Sequence, residues 1–315
     1  MNRKPIIISI KGIKLKTLEK KIIKKYKPWG IILFKRNIKS FKQLKELTKE
    51  IRKCIKDPFY PILIDEEGGS VSRFNSLFNN KEFSQRFFGK IYENDKAKGK
   101  LIYKYYLNSI CSILRSTGIN INTIPVLDLL QKRTHKIIQD RCYSNNIKTI
   151  KNLGNICIKT LKLNKIASVS KHIPGHGCAN KDSHKKLPVV KDKLSKLYRN
   201  DFNLFNKLES NFVMTAHILY KNIDNKFPAT LSERIIKKII RTKLKFKGLI
   251  ISDDIEMKAL SKNLIFNANL ALSSGCNLVL YCGGNTKKST KLLKELNTID
   301  SFTVKKTRQL YRYLR

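Results

Sequence analysis

Eight short runs of apolar, largely β-branched residues recur along the chain, separated by longer stretches of helical periodicity. They lie at 5–10, 30–34, 61–65, 122–129, 166–170, 212–218, 248–254 and 277–282. Nearly every position in them is apolar, the pattern of strands buried on both faces in a parallel sheet. Between them, Leu44, Leu47, Ile51 and Ile55 recur at helical spacing within 41–55, and Ile235, Ile236, Ile239, Ile240 and Leu244 within 232–246. Ser232 and Thr230 are candidate N-caps for the second of these helices. Strands alternating with helices eight times predict an α/β fold, a single-domain (β/α)8 TIM-type barrel over residues 1–315. A doubly wound open sheet is the competing architecture. It usually carries a phosphate-binding glycine fingerprint after its first strand, and none follows residues 5–10. Residues 75–100 read as a polar, irregular rim insertion, and the helical segments after Gly284 as the closure of the outer ring.

The formal charge of +43 invites a polyanion partner. The lysines run from end to end without a basic stripe interleaved with aromatics, and isoleucine and asparagine are abundant too. Codon drift toward A and T explains all three, so no specific nucleic-acid partner is expected. Seven cysteines, an odd count with no CxxC pair, fit a reducing compartment. No apolar run approaches the roughly eighteen residues of a spanning helix, and the first residues lack a signal-peptide core and cleavage site. A cytoplasmic monomer without membrane insertion is expected.

Residues 171–184, KHIPGHGCANKDSH, hold three of the five histidines, His172, His176 and His184, with Lys171 and Asp182. They follow the fifth apolar run and spill into a glycine-rich loop. Polar groups collect at other strand ends as well: DEEGG at 65–69 followed by Arg73, Asp128, DRCYS at 140–144, His217, and Ser252, Asp253 and Asp254. In a barrel these ends converge on one mouth. Alternation predicts that one of Asp253 and Asp254 faces it. Asp65 and Arg73 can grip a polar ligand or form a structural ion pair. Asp182, two residues from His184, can orient its imidazole, which is suited to both acid and base work near neutrality. The histidine spacings match no common zinc motif, so no metal is expected.

Together these residues resemble the bacterial exo-acting β-N-acetylglucosaminidases of glycoside hydrolase family 3, the cytoplasmic peptidoglycan-recycling branch. KHIPGHG with DSH is similar to that branch's KHFPGHG and DSH, and IDEEGGSVSRF to its DQEGGRVQRF. IPVLDL, MTAHILY, GIILFKRN and the nucleophile segment IIRTKLKFKGLIISDD add to the likeness, which runs from about residue 5 to 285. It departs at Ser70, Ile173 and Glu256, none of them a proposed catalytic group. The resemblance implies a two-step retaining hydrolysis of terminal β-linked N-acetylglucosamine from muropeptides, without cofactor. Asp253 is implied as nucleophile and His184 as acid/base with Asp182 as its partner. Asp65, Arg73, Arg141, Lys171 and His172 are implied to contact the sugar. Two alternatives stand beside it, a β-glucosidase-like member of the broader family and an inactive polyanion-binding barrel.

Overall fold

The apolar runs form the staves of a closed barrel. The structure, a computed structural model, describes residues 1–183, 185–260 and 263–315. In chain order the strands are β1 (Lys4–Ser9), β2 (Pro28–Leu33), β3 (Ile62–Ile64), β4 (Ile121–Asn122), β5 (Ala167–Ile173), β6 (Val189–Val190), β7 (Phe212–Thr215), β8 (Leu219–Tyr220), β9 (Leu249–Asp254) and β10 (Leu278–Tyr281). Eight of them close in the order β1-β10-β9-β7-β5-β4-β3-β2, with every ladder parallel, while β6 and β8 pair apart from the barrel. The expected TIM-type barrel is therefore the observed fold.

Side chains from alternate positions fill the interior. Ile7, Ile32, Leu63, Val169, Met214, Ile251 and Leu280 belong to one buried cluster inside the barrel, and their opposite neighbours, such as Ile6, Ile31, Ile62 and Ile250, pack against the helices. Burying each such side chain contributes about 1.5–3 kcal/mol. This two-sided burial is why the strands lack polar alternation.

The helix Phe41–Ile55 matches its expected span and is capped by Ser40, whose hydroxyl accepts from the Gln43 N–H at 3.2 Å. The helix expected over 232–246 is wound as a π-helix over Arg234–Lys243, burying Ile235, Ile236, Ile239 and Ile240. Of its candidate caps, Ser232 accepts from the Ile235 N–H at 3.1 Å. Thr230 instead bonds Thr215 and His217 inside the barrel.

Three expectations are corrected. The fourth run, 122–129, contributes only Asn122 to β4 (Ile121–Asn122); its remainder meets β5 through a single bridge between Val126 and Lys171. Much of 75–100 is helical, with Gln85–Asn94 capped by Ser84 and Lys96–Ser116 capped by Asp95. The lysine-rich outer faces dilute the apolar period there, but both caps were visible signals. Finally, the helix Ser301–Leu314 does not join the outer ring as Thr286–Glu295 does. It seals the end of the barrel where the strands begin.

That seal is specific. Trp29, fully buried at the start of β2, meets Phe212 edge-on with ring centroids 5.5 Å apart. Its indole N–H donates to Thr307 Oγ1 of the sealing helix at 2.8 Å, and Leu310 and Ile299 join the interior cluster. Replacing Thr307 with valine leaves that indole N–H buried without an acceptor. Urea unfolding of Thr307→Val is expected to show a loss of about 1–3 kcal/mol, with the site at the opposite end unaffected. An unchanged midpoint contradicts this role for the helix.

Candidate active site

The carboxyl ends of β3 and β5 carry a chain of buried charges. Asp65 leaves β3 with its Oδ2 accepting from Arg73 Nη2 at 2.7 Å and its Oδ1 from Lys171 Nζ at 3.3 Å and from the Thr123 hydroxyl. Lys171, 2% exposed within β5, also donates to Thr123 Oγ1 at 2.8 Å and reaches Glu67 Oε1 at 2.6 Å. Glu67 in turn accepts a bidentate pair from Arg141, at 2.8 and 2.9 Å. Arg141 Nη2 donates to His172 Nε2 at 3.4 Å, and His172 Nδ1 donates to Asp128 Oδ2 at 2.7 Å. Because Asp128 accepts at one ring nitrogen and Arg141 donates at the other, the His172 proton sits on Nδ1.

This belt contains three carboxylates and three permanent cations, so its charges balance. Burial pushes the Glu67 carboxyl up, but Arg141 and Lys171 outweigh it and hold the group at about 2. Burial likewise raises Asp128, while His172 and His176 bring it down to about 2. Asp65 is opposed by burial and held well below the carboxylate range by Lys171 and Arg73. The belt also leaves a donor open. Arg73 Nε is buried with no hydrogen-bond partner among the described residues, beside the Phe34 ring 5.1 Å from the guanidinium.

Glu66, between the two belt carboxylates, turns the other way. Its Oε2 accepts from the Arg73 and Phe74 backbone N–H groups at 2.7 and 3.2 Å, and its Oε1 from Asn80 Nδ2 at 2.6 Å. It thus holds the loop that delivers Arg73. Gly68 makes this path possible: its φ is +83°, and a Cβ there would lie 2.1 Å from the Phe83 carbonyl oxygen.

Asp128 organises the histidine loop as well as the belt. Its Oδ1 accepts from the backbone N–H of His172 at 3.3 Å and of His176 at 2.6 Å. Burial lowers His176 to about 4 against the pull of Asp128, and its Nε2 meets Ser183 Oγ at 3.1 Å. Gly177 passes so close to Leu129 that a Cβ would sit 1.8 Å from the Leu129 carbonyl oxygen. Asp182 is buried in the same loop, and the Ser183 carbonyl accepts from the Ala259 N–H at 3.3 Å, tying the loop to the segment after β9. His184, the expected acid/base, lies outside the described residues.

At the end of β9 the two aspartates differ. Asp254 Oδ1 accepts from the backbone N–H of Glu256 at 3.2 Å and of Cys282 at 3.1 Å, so it pins the strand end. Burial raises its carboxyl to about 6. His217 Nε2 donates to the Asp254 carbonyl at 3.0 Å, with Nδ1 meeting the Thr230 hydroxyl at 2.7 Å. Asp253 Oδ1 accepts from the Asp254 N–H at 2.8 Å, and its charge is felt by Arg141 in the belt. Cys282, at the end of β10, feels Asp65, Asp253, Asp254 and Arg73 together. The structure thus gathers Asp65, Arg73, Arg141, Lys171, His172, Asp182 and Asp253 at one end of the barrel. Sequence reasoning gave no role to Glu67, Asp128 or Thr123. The first two lie in DEEGG and IPVLDL and could have been found; nothing marks Thr123.

These shifts set a pH profile for stability. Asp65, Glu67 and Asp128 are held below their unfolded values of about 4, so their contribution is full above that and lost as pH falls toward about 2. Asp254, and Asp201 buried against the Gln131 amide, are raised to about 6, so they do the reverse and favour the fold as pH falls from 7 to about 4, while His176, held down to about 4, opposes them over the same range. The melting temperature is expected to peak between about pH 4 and 5, with the rise from neutrality reduced in Asp254→Asn. A monotonic fall from pH 7 downward contradicts these assignments.

Comparison with known proteins places this geometry. The model of the glycosyl hydrolase family 3 N-terminal domain matches residues 6–309. A β-hexosaminidase of Nitrosospira multiformis is 33% identical over 94% of the chain and 85% of its own length. One from Methylobacillus flagellatus is 34% identical over 93% and 84%. The crystal structure of NagZ from Neisseria gonorrhoeae, in complex with N-trifluoroacetyl-D-glucosamine, superposes with a TM-score of 0.86 at 27% identity, covering 100% of this chain and 91% of that one. The chain belongs to the glycosyl hydrolase family 3 N-terminal domain family and is a glycosidase.

Proposed function

We propose that the enzyme is an exo-acting, retaining β-N-acetylglucosaminidase that removes terminal β-linked N-acetylglucosamine from peptidoglycan-derived muropeptides. The observation that carries this reading is the buried belt of Asp65, Arg73, Lys171, Glu67, Arg141 and His172, with the Asp253 carboxylate at the same barrel end. Such a belt presents fixed donors and acceptors to the hydroxyls of one sugar ring. The unpartnered Arg73 Nε supplies one more. A pocket whose polar groups are already held in place suits a terminal residue.

In the proposed reaction Asp253 attacks the anomeric carbon as the glycosidic C–O bond breaks, and His184, protonated, gives its proton to the departing oxygen. Neutral His184 then takes a proton from water, which attacks the same carbon and frees Asp253. Asp182 orients His184 and favours its protonated form. The roles of His184 and Asp182 rest on the DSH likeness in the sequence. A single domain over 1–315, acting as a cytoplasmic monomer on a small carbohydrate without a cofactor, completes the proposal. Among the described residues no helix is long and apolar enough to cross a membrane, and no group of three or more His, Cys, Asp or Glu is placed to hold a metal.

The test is hydrolysis of a chromogenic N-acetyl-β-glucosaminide, with the corresponding glucoside in parallel. Wild type is expected to cleave only the N-acetyl substrate. Asp253→Asn should lose at least about a thousandfold in kcat, and His184→Ala about 10²–10⁴-fold. Preference for the glucoside, or full activity in folded Asp253→Asn, refutes the proposal.

A further inference from the structure

The end of the barrel remote from the sugar site carries an unusual backbone pattern. Among the described residues, the non-glycine positions with positive φ are Lys27, Lys56, Lys165, Lys207 and Lys245, at 49° to 59°. Every one is a lysine and every one is exposed. Each follows a helical segment and leads into a strand: Lys27 into β2, Lys56 toward β3, Lys165 into β5, Lys207 toward β7 and Lys245 toward β9. Glycine or asparagine takes this conformation with less strain. In a closed barrel the turns that enter the strands share one end, so these five ammonium groups ring the floor. Inside the ring lies the helix Ser301–Leu314, which adds the exposed Lys305, Arg308 and Arg312.

A cleft of about 530 Å³ opens at one side of this floor, flanked by Lys207, Lys245, Lys247 and Lys306, with Glu209 the one carboxylate along its walls among the described residues. Apolar groups project from the same face: Leu163, 83% exposed beside Lys165, with Met1 at 41% and Phe302 at 39%. The Phe302 ring is already covered by Arg241 and Lys306, at 5.3 and 5.7 Å, and offers no free platform for a stacked base. A ring of lysines around exposed aliphatic side chains matches the boundary of a membrane, where ammonium groups meet headgroup phosphates and apolar side chains enter beneath them.

We propose that the floor of the barrel docks on a bilayer rich in anionic lipid, through Lys27, Lys56, Lys165, Lys207 and Lys245, leaving the sugar site at the other end facing solution. The test is flotation with phosphatidylglycerol–phosphatidylcholine vesicles and with phosphatidylcholine vesicles alone. One variant carries Lys27→Gly, Lys56→Gly, Lys165→Gly, Lys207→Gly and Lys245→Gly, which keep the left-handed turns and remove the charge. Its control carries Lys45→Gln, Lys104→Gln, Lys148→Gln, Lys238→Gln and Lys291→Gln, removing as many exposed charges from the helices. Circular dichroism melting confirms that both fold.

Wild type is expected to float only with the anionic vesicles. The floor variant should lose on the order of a hundredfold in affinity, and the control only a few-fold. Equal losses in the two variants reduce the effect to net charge and overturn the proposal. So does wild type that stays unbound, or that prefers single-stranded RNA to the vesicles through the same lysines.

Discussion

The buried run of charges from Asp128 through His172, Arg141, Glu67, Lys171 and Asp65 to Arg73 is the constraint on which the site end of the barrel depends. Its members come from the ends of β3 and β5 and from the loops after β3 and β4. Lys171 and Arg141 are stripped of water on folding and compensated by carboxylates delivered from the end of β3, where Arg73 is held by Asp65 of the same segment. Assembling such a chain costs desolvation, and removing one member of a buried pair typically costs about 3–5 kcal/mol. The belt therefore does little for overall stability and much for geometry. It holds these polar groups in one arrangement through mutual hydrogen bonds.

That rigidity contrasts with the linkage between the reactive segments. The histidine loop is held at its base by Asp128, through the backbone N–H groups of His172 and His176. Toward its tip it meets the segment after β9 by the Ser183–Ala259 hydrogen bond. Asp254 fixes the other side of that segment by accepting from Glu256 and Cys282. One aspartate at the end of β9 thus serves the backbone, and its neighbour Asp253 is the one proposed as nucleophile. The raised carboxyl of Asp254 reflects this burial and does not mark it as a second catalytic acid.

The barrel was legible in the sequence because a strand buried on two faces leaves an uninterrupted apolar run, as in PIIISI and IASVS. β4 was legible only in part, since Pro125 follows soon after and a single bridge at Val126 replaces a ladder. The position of the last helix was not legible. An amphipathic face shows that a helix is buried on one side, but not whether that side meets the barrel wall or its floor; Thr307 against Trp29 decides it. Within the site, the period of two in DEEGG separates Asp65 and Glu67 from Glu66, so the belt role of Glu67 could have been read. The pairing of Asp128 with His172 spans 44 residues and needed the fold.

The proposed chemistry requires the belt to seat a terminal N-acetylglucosamine with its anomeric carbon against Asp253. The most direct test is to trap the covalent intermediate with a slowly turned-over fluorinated N-acetylglucosaminide and to map the adduct by peptide mass spectrometry. One sugar residue attached to Asp253 is the expected result. Attachment to Asp254 or another carboxylate, or turnover of the probe with no adduct on any carboxylate under single-turnover conditions, would contradict it.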